Sequence, residues 1–309
     1  DVAEIVRIIA VKAAGGVKIP ITARGKGTDQ AGAALGEGII LALPAHMKRL
    51  LSVDKETVTV QPGMIYRELQ GVLHSHKRFL PPYPASIDFA SIGGAVANNS
   101  AGEKTVKYGS TRNYVEGLRV VLANGDVIET RRLSAKELKA KQAQPDFEGH
   151  LYRNVDYLIE EHWDTIRAAF PKVSKNSAGY DLWHVKGTDG SFDLGQLIIG
   201  SQGTLGVVTE MRLRHEPWNP HTHLVVGYFD TIEHAAQAVE LIMPLKPSAL
   251  EIVDRNLLEF LKEHAPERIK GLMPDKMPGI VLLVEFDDPK ARTQATKSKK
   301  VLKVLEHLA

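Results

Sequence analysis

The stretch SIGGAVANNSAG, residues 91–102, decides the fold of this chain. It lies inside a longer segment, residues 81–113, that is rich in proline, glycine, serine and asparagine and shows no clear periodicity. A structureless stretch of this length inside a compact domain is uncommon and often functional. Its paired glycines allow the backbone to approach a ligand closely, and its asparagines add hydrogen-bond donors and acceptors.

Two further glycine-rich loops stand on either side of that stretch, ARGKGTDQAG at 23–32 and GSQGTLGVVT at 200–209. In the first, glycine lets several backbone N–H groups face a bulky anion, while Arg24 and Lys26 add positive charge. A phosphate or pyrophosphate cradle is therefore one interpretation, but on glycine content alone a flexible surface turn is favoured. In isolation, a plain hairpin is the favoured interpretation of the loop at 200–209.

The first loop is not one of the common nucleotide-binding fingerprints. A Rossmann G-x-G-x-x-G would need a third glycine where Gln30 stands, and a Walker loop would need a Gly-Lys-Ser/Thr triplet. The sequence also lacks the G-x-S-x-G and H-E-x-x-H patterns of serine and zinc hydrolases. Those classes of enzyme are therefore disfavoured.

The composition of the 309 residues narrows the remaining classes. The net charge of +2, with dispersed basic residues, does not favour a nucleic-acid surface. Because the sequence contains no cysteine, it excludes disulfides, thiolate metal sites and iron–sulfur clusters within this stretch. No window has the apolar length of a membrane helix. Both ends fall in helical patterns, so we expect a piece of a longer protein.

Hydrophobic periodicity predicts the elements around the three loops. Asn124-Gly125 indicates a two-residue hairpin turn, and the charged residues 131–149 an exposed excursion. Helices are predicted over 2–13, 65–76 and 152–170, and strands over 18–23, 38–43 (buried), 57–60, 118–122 and 196–199.

The Pro-rich segment HEPWNP, 215–220, indicates a domain boundary. After it, strands and helices alternate. Strands are predicted over 224–231, 248–254 and 279–286, and helices over 232–243, 256–264 and the last 20 or so residues. We therefore expect one domain over 1–217 and a second over 218–309.

Taken together, four segments resemble the FAD domain of the vanillyl-alcohol-oxidase type: ARGKGTDQAG, residues 81–128, KNSAGYDL at 175–182, and residues 200–214. Within it, the resemblance is to the FAD-linked oxidases that include D-lactate dehydrogenase, the glycolate oxidase D subunit and D-2-hydroxyglutarate dehydrogenase. It implies an α+β fold, with a two-subdomain FAD-binding domain over 1–217 followed by the start of an α+β cap domain over 218–309.

The same resemblance implies which residues bind FAD. Thr28 stands where relatives with histidyl-linked FAD carry histidine, and no cysteine is present, so non-covalent binding is expected. Tyr83 and Gln202 stand in place of acidic residues. The implied cofactor-binding residues are Arg24, Gly25, Lys26, Gly27, Thr28, Asp29, Ser91, Ile92, Gly93, Gly94, Ala97, Asn99, Gly102, Gly203, Gly206 and Val208.

The implied activity is dehydrogenation of a small 2-hydroxy acid by hydride transfer to flavin N5, while a base takes the hydroxyl proton. The catalytic base is unknown; Asn176 and Tyr180 are candidates for the substrate side, with a packing corner as an equal alternative. The expected electron acceptor is a quinone, cytochrome, iron–sulfur protein or flavoprotein. An accessory FAD-carrying subunit is the alternative, and an NADPH-dependent enolpyruvyl-sugar reductase is disfavoured for want of a nicotinamide fingerprint.

The remaining candidates have plainer interpretations. His215, His221 and His223 lie near Trp218 with no carboxylate at fixed spacing, so linker histidines are favoured over a metal site. Lys297, Lys299, Lys300 and Lys303 are expected to form the solvated face of the last helix. We expect no metal and a cytoplasmic protein, with any attachment to the inner membrane peripheral or through a partner.

Overall fold

The computed structural model describes residues 1–16, 19–173, 175–274 and 276–308. The chain divides into two compact units. Unit 1 comprises Asp1–Gly102 and Gly109–Pro217, and unit 2 comprises Glu103–Tyr108 and Trp218–Ala309. The assignment of the two parts as an FAD-binding domain and a cap stays a prediction. No sequence pattern predicted that the short segment Glu103–Tyr108 belongs to the second unit.

The strands occur mostly where period-2 patterns predict them; the beginning of the first predicted one, at Lys18, lies outside the described residues. They are β1 (Ile21–Arg24), β2 (Ile39–Ala42), β3 (Leu50–Val53), β4 (Thr57–Val60), β5 (Arg78–Phe79), β6 (Val115–Val121), β7 (Val127–Thr130), β8 (Val207–Arg214), β9 (Glu216–Pro217), β10 (His223–Phe229), β11 (Ala249–Asp254) and β12 (Ile280–Phe286).

Each helix of eight residues or more buries at least one apolar side chain. They are α1 (Val2–Ala14), α2 (Leu43–His46), α3 (Tyr66–Ser75), α4 (Ile92–Ala97), α5 (Thr105–Tyr108), α6 (Ala135–Gln142), α7 (Phe147–Glu161), α8 (Trp163–Ala168), α9 (Gly195–Ile198), α10 (Ile232–Ile242), α11 (Arg255–His264) and α12 (Ala291–Leu308). No helix in the described part of the chain is both long and apolar enough to cross a membrane.

The main sheet of unit 1 is antiparallel, with the strand order β3-β4-β8-β6-β7. Strand β8 alternates buried and less buried residues along its length, as expected of a strand with one covered face. The predicted Asn124-Gly125 turn joins β6 to β7. The Leu122 N–H donates to the Asp126 carbonyl at 2.8 Å, so the loop holds three residues rather than two. A separate pair, β1 and β2, is parallel.

Two strand predictions in unit 1 were wrong. The stretch 196–199 is not a strand: the Asp193 carboxylate accepts the Gly195 N–H at 2.9 Å and starts the helical turn α9. Strand β2 is not buried, since Ile39 and Ile40 are 36% and 39% exposed. Apolar runs alone do not distinguish a strand from a helical turn, or a covered strand from an uncovered one.

The predicted excursion at 131–149 contains the whole of α6 and the start of α7. Ser134 and Glu137 form a reciprocal capping box at the start of α6, and Asp146 caps α7 by accepting the Gly149 N–H at 2.9 Å. Both caps are sequence signals for the start of a helix, and the high charge of the segment obscured these signals. The single helix predicted over 152–170 is two helices, α7 and α8, separated at His162.

Unit 2 is an antiparallel sheet with the order β10-β12-β11, and α10 and α12 pack on it. The predicted alternation of strands and helices after residue 217 is confirmed. Its core includes Val225, Phe229, Ala235, Ile242, Leu282, Phe286, Val301 and Leu305.

Charged contacts add two features to unit 2. Lys297 is not simply solvated: its ammonium group pairs with Asp288 at 2.9 Å and lies over the Phe286 ring, whereas the other three lysines of α12 are exposed. In the Glu103–Tyr108 segment, Lys104 pairs with Glu285, and the Tyr108 hydroxyl donates to Asp287 at 2.8 Å. These bonds join α5 to the end of β12.

Candidate cofactor site

Two clefts in unit 1 bring the three glycine-rich loops together. The first is lined by residues of 25–29, at the end of β1, and by residues 90–100 around α4. The second adds residues 198–208, ahead of and within β8. The two clefts share Ala23, Gly25, Gly94 and Ala97, so they form one continuous surface. Hereafter loop 1 means residues 25–29, loop 2 residues 91–97, and loop 3 residues 200–206.

Loop 1 has backbone donors and positive charge to offer. Within the described residues, the N–H groups of Lys26, Gly27 and Thr28 donate to no protein acceptor. In the same part of the chain, no carboxylate lies within ion-pair distance of Arg24 or Lys26. The Asp29 carboxylate accepts the Ala33 N–H at 3.0 Å instead. Free N–H groups beside unpaired cations suit an anion such as a diphosphate.

Loop 2 is different, because its amide groups already have partners. The Ile92 N–H donates to the Met64 carbonyl at 2.9 Å and the Gly93 N–H to the Pro62 carbonyl at 2.8 Å. The Gly94 N–H donates to the Ser91 hydroxyl at 3.3 Å, which caps α4. A Cβ on Gly93 would lie 2.5 Å from the Pro62 Cβ. Its lack of a side chain therefore serves packing inside the protein.

Loop 3 is bonded to the end of α4. The Gly200 N–H donates to the Val96 carbonyl at 3.0 Å, and the Gln202 N–H to the Ala97 carbonyl at 2.9 Å. Gln202 lines the first cleft with a left-handed backbone, φ +53°. A non-glycine residue in that region carries strain and is uncommon outside turns and functional sites.

The structure brings most, but not all, of the implied cofactor residues to this surface. Arg24, Ile92, Asn99 and Gly102 do not line either cleft. Ile92 and Asn99 are buried in unit 1. The cofactor-binding role of each residue stays a prediction. Those on the surface are Gly25, Lys26, Gly27, Thr28, Asp29, Ser91, Gly93, Gly94, Ala97, Gly203, Gly206 and Val208.

Asn176 and Tyr180 contact the loops without lining the clefts. The Asn176 carbonyl accepts a hydrogen bond from the Asn99 side chain at 3.2 Å. The Tyr180 hydroxyl bonds to the Thr204 hydroxyl at 2.8 Å and its ring is about half exposed. These contacts are those of a packing corner, and a role towards a substrate stays a prediction.

Sequence reasoning missed Arg112, which lies behind the loops. Its guanidinium group bonds to the Asp181 carboxylate at 3.1 Å, and the two side chains are only 11% and 9% exposed. Burial lowers the pKa of Arg112 from its usual value, against the charge of Asp181. Burial raises the pKa of Asp181, but the hydrogen bond from His184 and the charge of Arg112 outweigh it, and the pKa lies below its ordinary value.

His215 is not a linker residue, because it is 2% exposed and built into unit 1. Its Nδ1 accepts from Arg78 at 2.9 Å, and its Nε2 lies 3.2 Å from the Asp54 carbonyl, so a neutral ring satisfies both contacts. Burial lowers the pKa of His215. His221 is exposed and His223 partly so. Across the described residues, no group of three His, Cys, Asp or Glu side chains is placed to hold a metal.

The chain matches two protein families. Residues 1–131 match the FAD binding domain, and residues 219–309 match the C-terminal domain of FAD-linked oxidases. Among solved structures, alkyldihydroxyacetonephosphate synthase is similar with a TM-score of 0.66 at 20% identity, over 100% of this chain and 49% of that one. That likeness concerns the fold.

Curated relatives are similar over most of this chain. D-2-hydroxyglutarate dehydrogenase of Pantoea ananatis is 31% identical, over 93% of this chain and 28% of the relative. Glycolate oxidase subunit GlcD of Bacillus subtilis is 33% identical, over 88% and 47%. D-lactate dehydrogenase of Anaerostipes hadrus is 30% identical, over 87% and 47%. The chain thus spans less than half the length of each of these relatives.

The domain match supports FAD as a cofactor of this chain, and the free N–H groups of loop 1 are compatible with the diphosphate of a dinucleotide. The two matches stand in order along the sequence; the first falls in unit 1 except for Glu103–Tyr108, and the second falls in unit 2. The chain belongs to the FAD-linked oxidase family.

Proposed function

We propose that the protein containing this chain dehydrogenates a small 2-hydroxy acid such as D-lactate, glycolate or D-2-hydroxyglutarate. The observation that carries the proposal is the meeting of three loops at one surface, with free amide donors and one unpaired cation, Lys26, in loop 1. The printed names of the relatives supply the class of substrate. Bound FAD supplies the acceptor for the hydride.

In this proposal, the residues of this chain bind the cofactor and shape its clefts rather than react themselves. The N–H groups of Lys26, Gly27 and Thr28 bind the diphosphate, and Lys26 offsets its charge. Loops 2 and 3 form the wall of the clefts and exclude water from the clefts. Their amide groups are held by carbonyls of unit 1, so this wall keeps its shape when the cofactor is absent.

We also propose that FAD is held without a covalent bond. Thr28 lines the first cleft, and a threonine side chain does not form the histidyl or cysteinyl links that attach flavins. Precipitating the holoprotein with acid should leave the yellow flavin in the supernatant. Flavin that remains with the pellet after denaturation would contradict this proposal.

The test of the activity is a visible absorbance spectrum, followed by anaerobic addition of each of the three acids. The flavin band should be present after incubation with FAD and should bleach with at least one acid. Propionate, which lacks the hydroxyl group, should leave the band unchanged. A band that no acid bleaches would contradict hydroxy-acid dehydrogenation by this chain and favour an accessory FAD-carrying role.

For the oxidative half of the reaction, we propose a separate acceptor, either a quinone, a cytochrome, an iron–sulfur protein or a flavoprotein. We place the protein in the cytoplasm with any membrane contact peripheral. Adding a soluble quinone or a cytochrome to the bleached protein should restore the absorbance with one acceptor much faster than with the other. Equal, slow recovery with both would contradict a dedicated acceptor of these two types.

A further inference from the structure

Arg112, which does not line the cofactor clefts, lies where three pieces of unit 1 meet. We infer that Arg112 is a positioning residue that fixes loops 2 and 3 in the shape that binds FAD. The inference rests on the proposed FAD site and names a residue outside it. The pieces are Asn99, which lies two residues beyond loop 2, the segment 176–181, and α9 with the residue that precedes loop 3.

The guanidinium group of Arg112 bonds to each of the last two pieces. Its Nη1 donates to the Gln196 carbonyl at 2.6 Å and its Nη2 to the Ile199 carbonyl at 3.0 Å. Its Nε pairs with the Asp181 carboxylate at 3.1 Å. A planar fork with several fixed donors holds such acceptors in one arrangement, which a flexible ammonium group does not.

The backbone of Arg112 reaches the remaining piece through Asn99. The Arg112 N–H donates to the Asn99 side-chain oxygen at 2.9 Å. The Asn99 side chain in turn donates to the Asn176 carbonyl, and the Ser177 hydroxyl donates to the Asn99 carbonyl at 3.3 Å. Asn99 has φ +46°, a left-handed conformation that asparagine tolerates better than most residues. Asn99 thus acts through its neighbours rather than by lining a cleft.

The residues that bond to Arg112 lie next to the loops that form the cofactor clefts. Ile199 directly precedes loop 3, and Asn99 follows the end of α4 by two residues. None of the guanidinium contacts is to a strand of the main sheet. Removing the guanidinium group therefore leaves the Gln196 and Ile199 carbonyls without this donor and takes the cation from Asp181, which keeps its bonds from His184, while the sheet keeps its hydrogen bonds.

The experiment compares three variants with the wild type by fluorescence titration with FAD and by thermal unfolding of the apoprotein. Arg112→Met should raise the FAD Kd at least tenfold. Arg112→Lys should fall between, because an ammonium group keeps the charge without the fork. Val58→Ala is the matched control: Val58 is fully buried in β4, so this variant should lose thermal stability while its FAD Kd stays within twofold.

A second measurement covers the case in which Arg112→Met does not fold. Asp181→Asn keeps the shape and removes the charge, and it should raise the FAD Kd several-fold and speed hydrogen exchange at the Gly200 and Gln202 amides of the apoprotein. Unchanged Kd and exchange in every folded variant, or an equal loss of affinity in Val58→Ala, would overturn the inference. A wild type that binds no FAD would instead overturn the proposed cofactor site itself.

Discussion

Loop 1 and loop 2 look alike as sequence and differ in what their backbones do. Both are glycine-rich, although loop 1 follows strand β1 and loop 2 follows a run of turns at 85–89. In loop 1, the N–H groups of Lys26, Gly27 and Thr28 are free of acceptors in the described part of the chain. In loop 2, the N–H groups of Ile92 and Gly93 bond to carbonyls of unit 1.

The difference teaches that glycine content marks a close approach without saying what is approached. In loop 1, the open donors face a cleft and leave room for an anion. In loop 2, Gly93 is pressed against Pro62, so the close approach is between two parts of the protein. Substitutions in the two loops should therefore have opposite signatures, with binding lost in one and stability lost in the other.

The largest effect is expected in loop 2. Gly93→Ala places a Cβ 2.5 Å from the Pro62 Cβ and 2.8 Å from the Pro62 carbonyl oxygen. Neither atom belongs to the far end of a flexible side chain, so neither can move aside. We expect a loss in the free energy of unfolding on the order of 3 kcal/mol, the upper range for overpacking. Urea denaturation of the apoprotein measures it. If Gly93→Ala is as stable as the wild type, the proposed difference between the two loops is contradicted.

In loop 1, the corresponding change is in charge. Lys26→Gln should raise the FAD Kd about tenfold, equivalent to about 1.4 kcal/mol. The effect should shrink at high salt, because Lys26 is exposed and its interaction is screened. Thermal unfolding of the apoprotein should be unchanged. Lys136→Gln, an exposed lysine of α6, is the control and should leave the affinity as it is.

A smaller effect on stability is expected from Gly27→Ala. Gly27 has φ +69°, and a Cβ there would meet only the flexible end of Arg24. Left-handed backbone costs an alanine about 1 kcal/mol relative to glycine. Gly16→Ala has the same kind of conformation, φ +88° with nothing nearby, and should show a similar cost. Only Gly27→Ala should also weaken FAD binding; equal affinity in the two variants would count against loop 1 as the anion site.

The smallest effect concerns pH and lies away from both loops. Burial lowers the pKa of His215, so the folded state holds the ring neutral. The stability that the neutral His215 ring contributes is complete above the unfolded-state pKa, about 6.5, and is lost as the pH falls through and below that value. Between pH 7 and 5, the wild type should lose more stability than His215→Gln does. Identical slopes in urea denaturation would show that His215 is not the group responsible.

The sequence predicted the positions of the loops better than their roles. Periodicity placed β4, β6 and the elements of unit 2, because apolar side chains recur with the period of the element. The free or occupied state of an amide could not be predicted, since it depends on carbonyls such as those of Pro62 and Met64 that lie about 30 residues away. The same holds for Arg112, whose guanidinium acceptors lie more than 60 residues further along the chain.

The assignment of Glu103–Tyr108 to unit 2 was equally out of reach. The segment looks like the tail of loop 2, yet Tyr108 bonds to Asp287, 179 residues away. Charged pairs formed by single side chains at such separations leave no periodic signal. The helix caps at Ser134 and Asp146, by contrast, were visible in the sequence and were overlooked because the segment is so highly charged.

The most direct test of the account is hydrogen exchange at individual amides of unit 1, measured without and with FAD. The account predicts that Ile92, Gly93, Gly200 and Gln202 exchange slowly in both states. Lys26, Gly27 and Thr28 should exchange fast without FAD and slowly once it is bound. Slow exchange at loop 1 without cofactor, or no change there on saturation with FAD, would contradict the claim that loop 1 is the anion-binding part of the site.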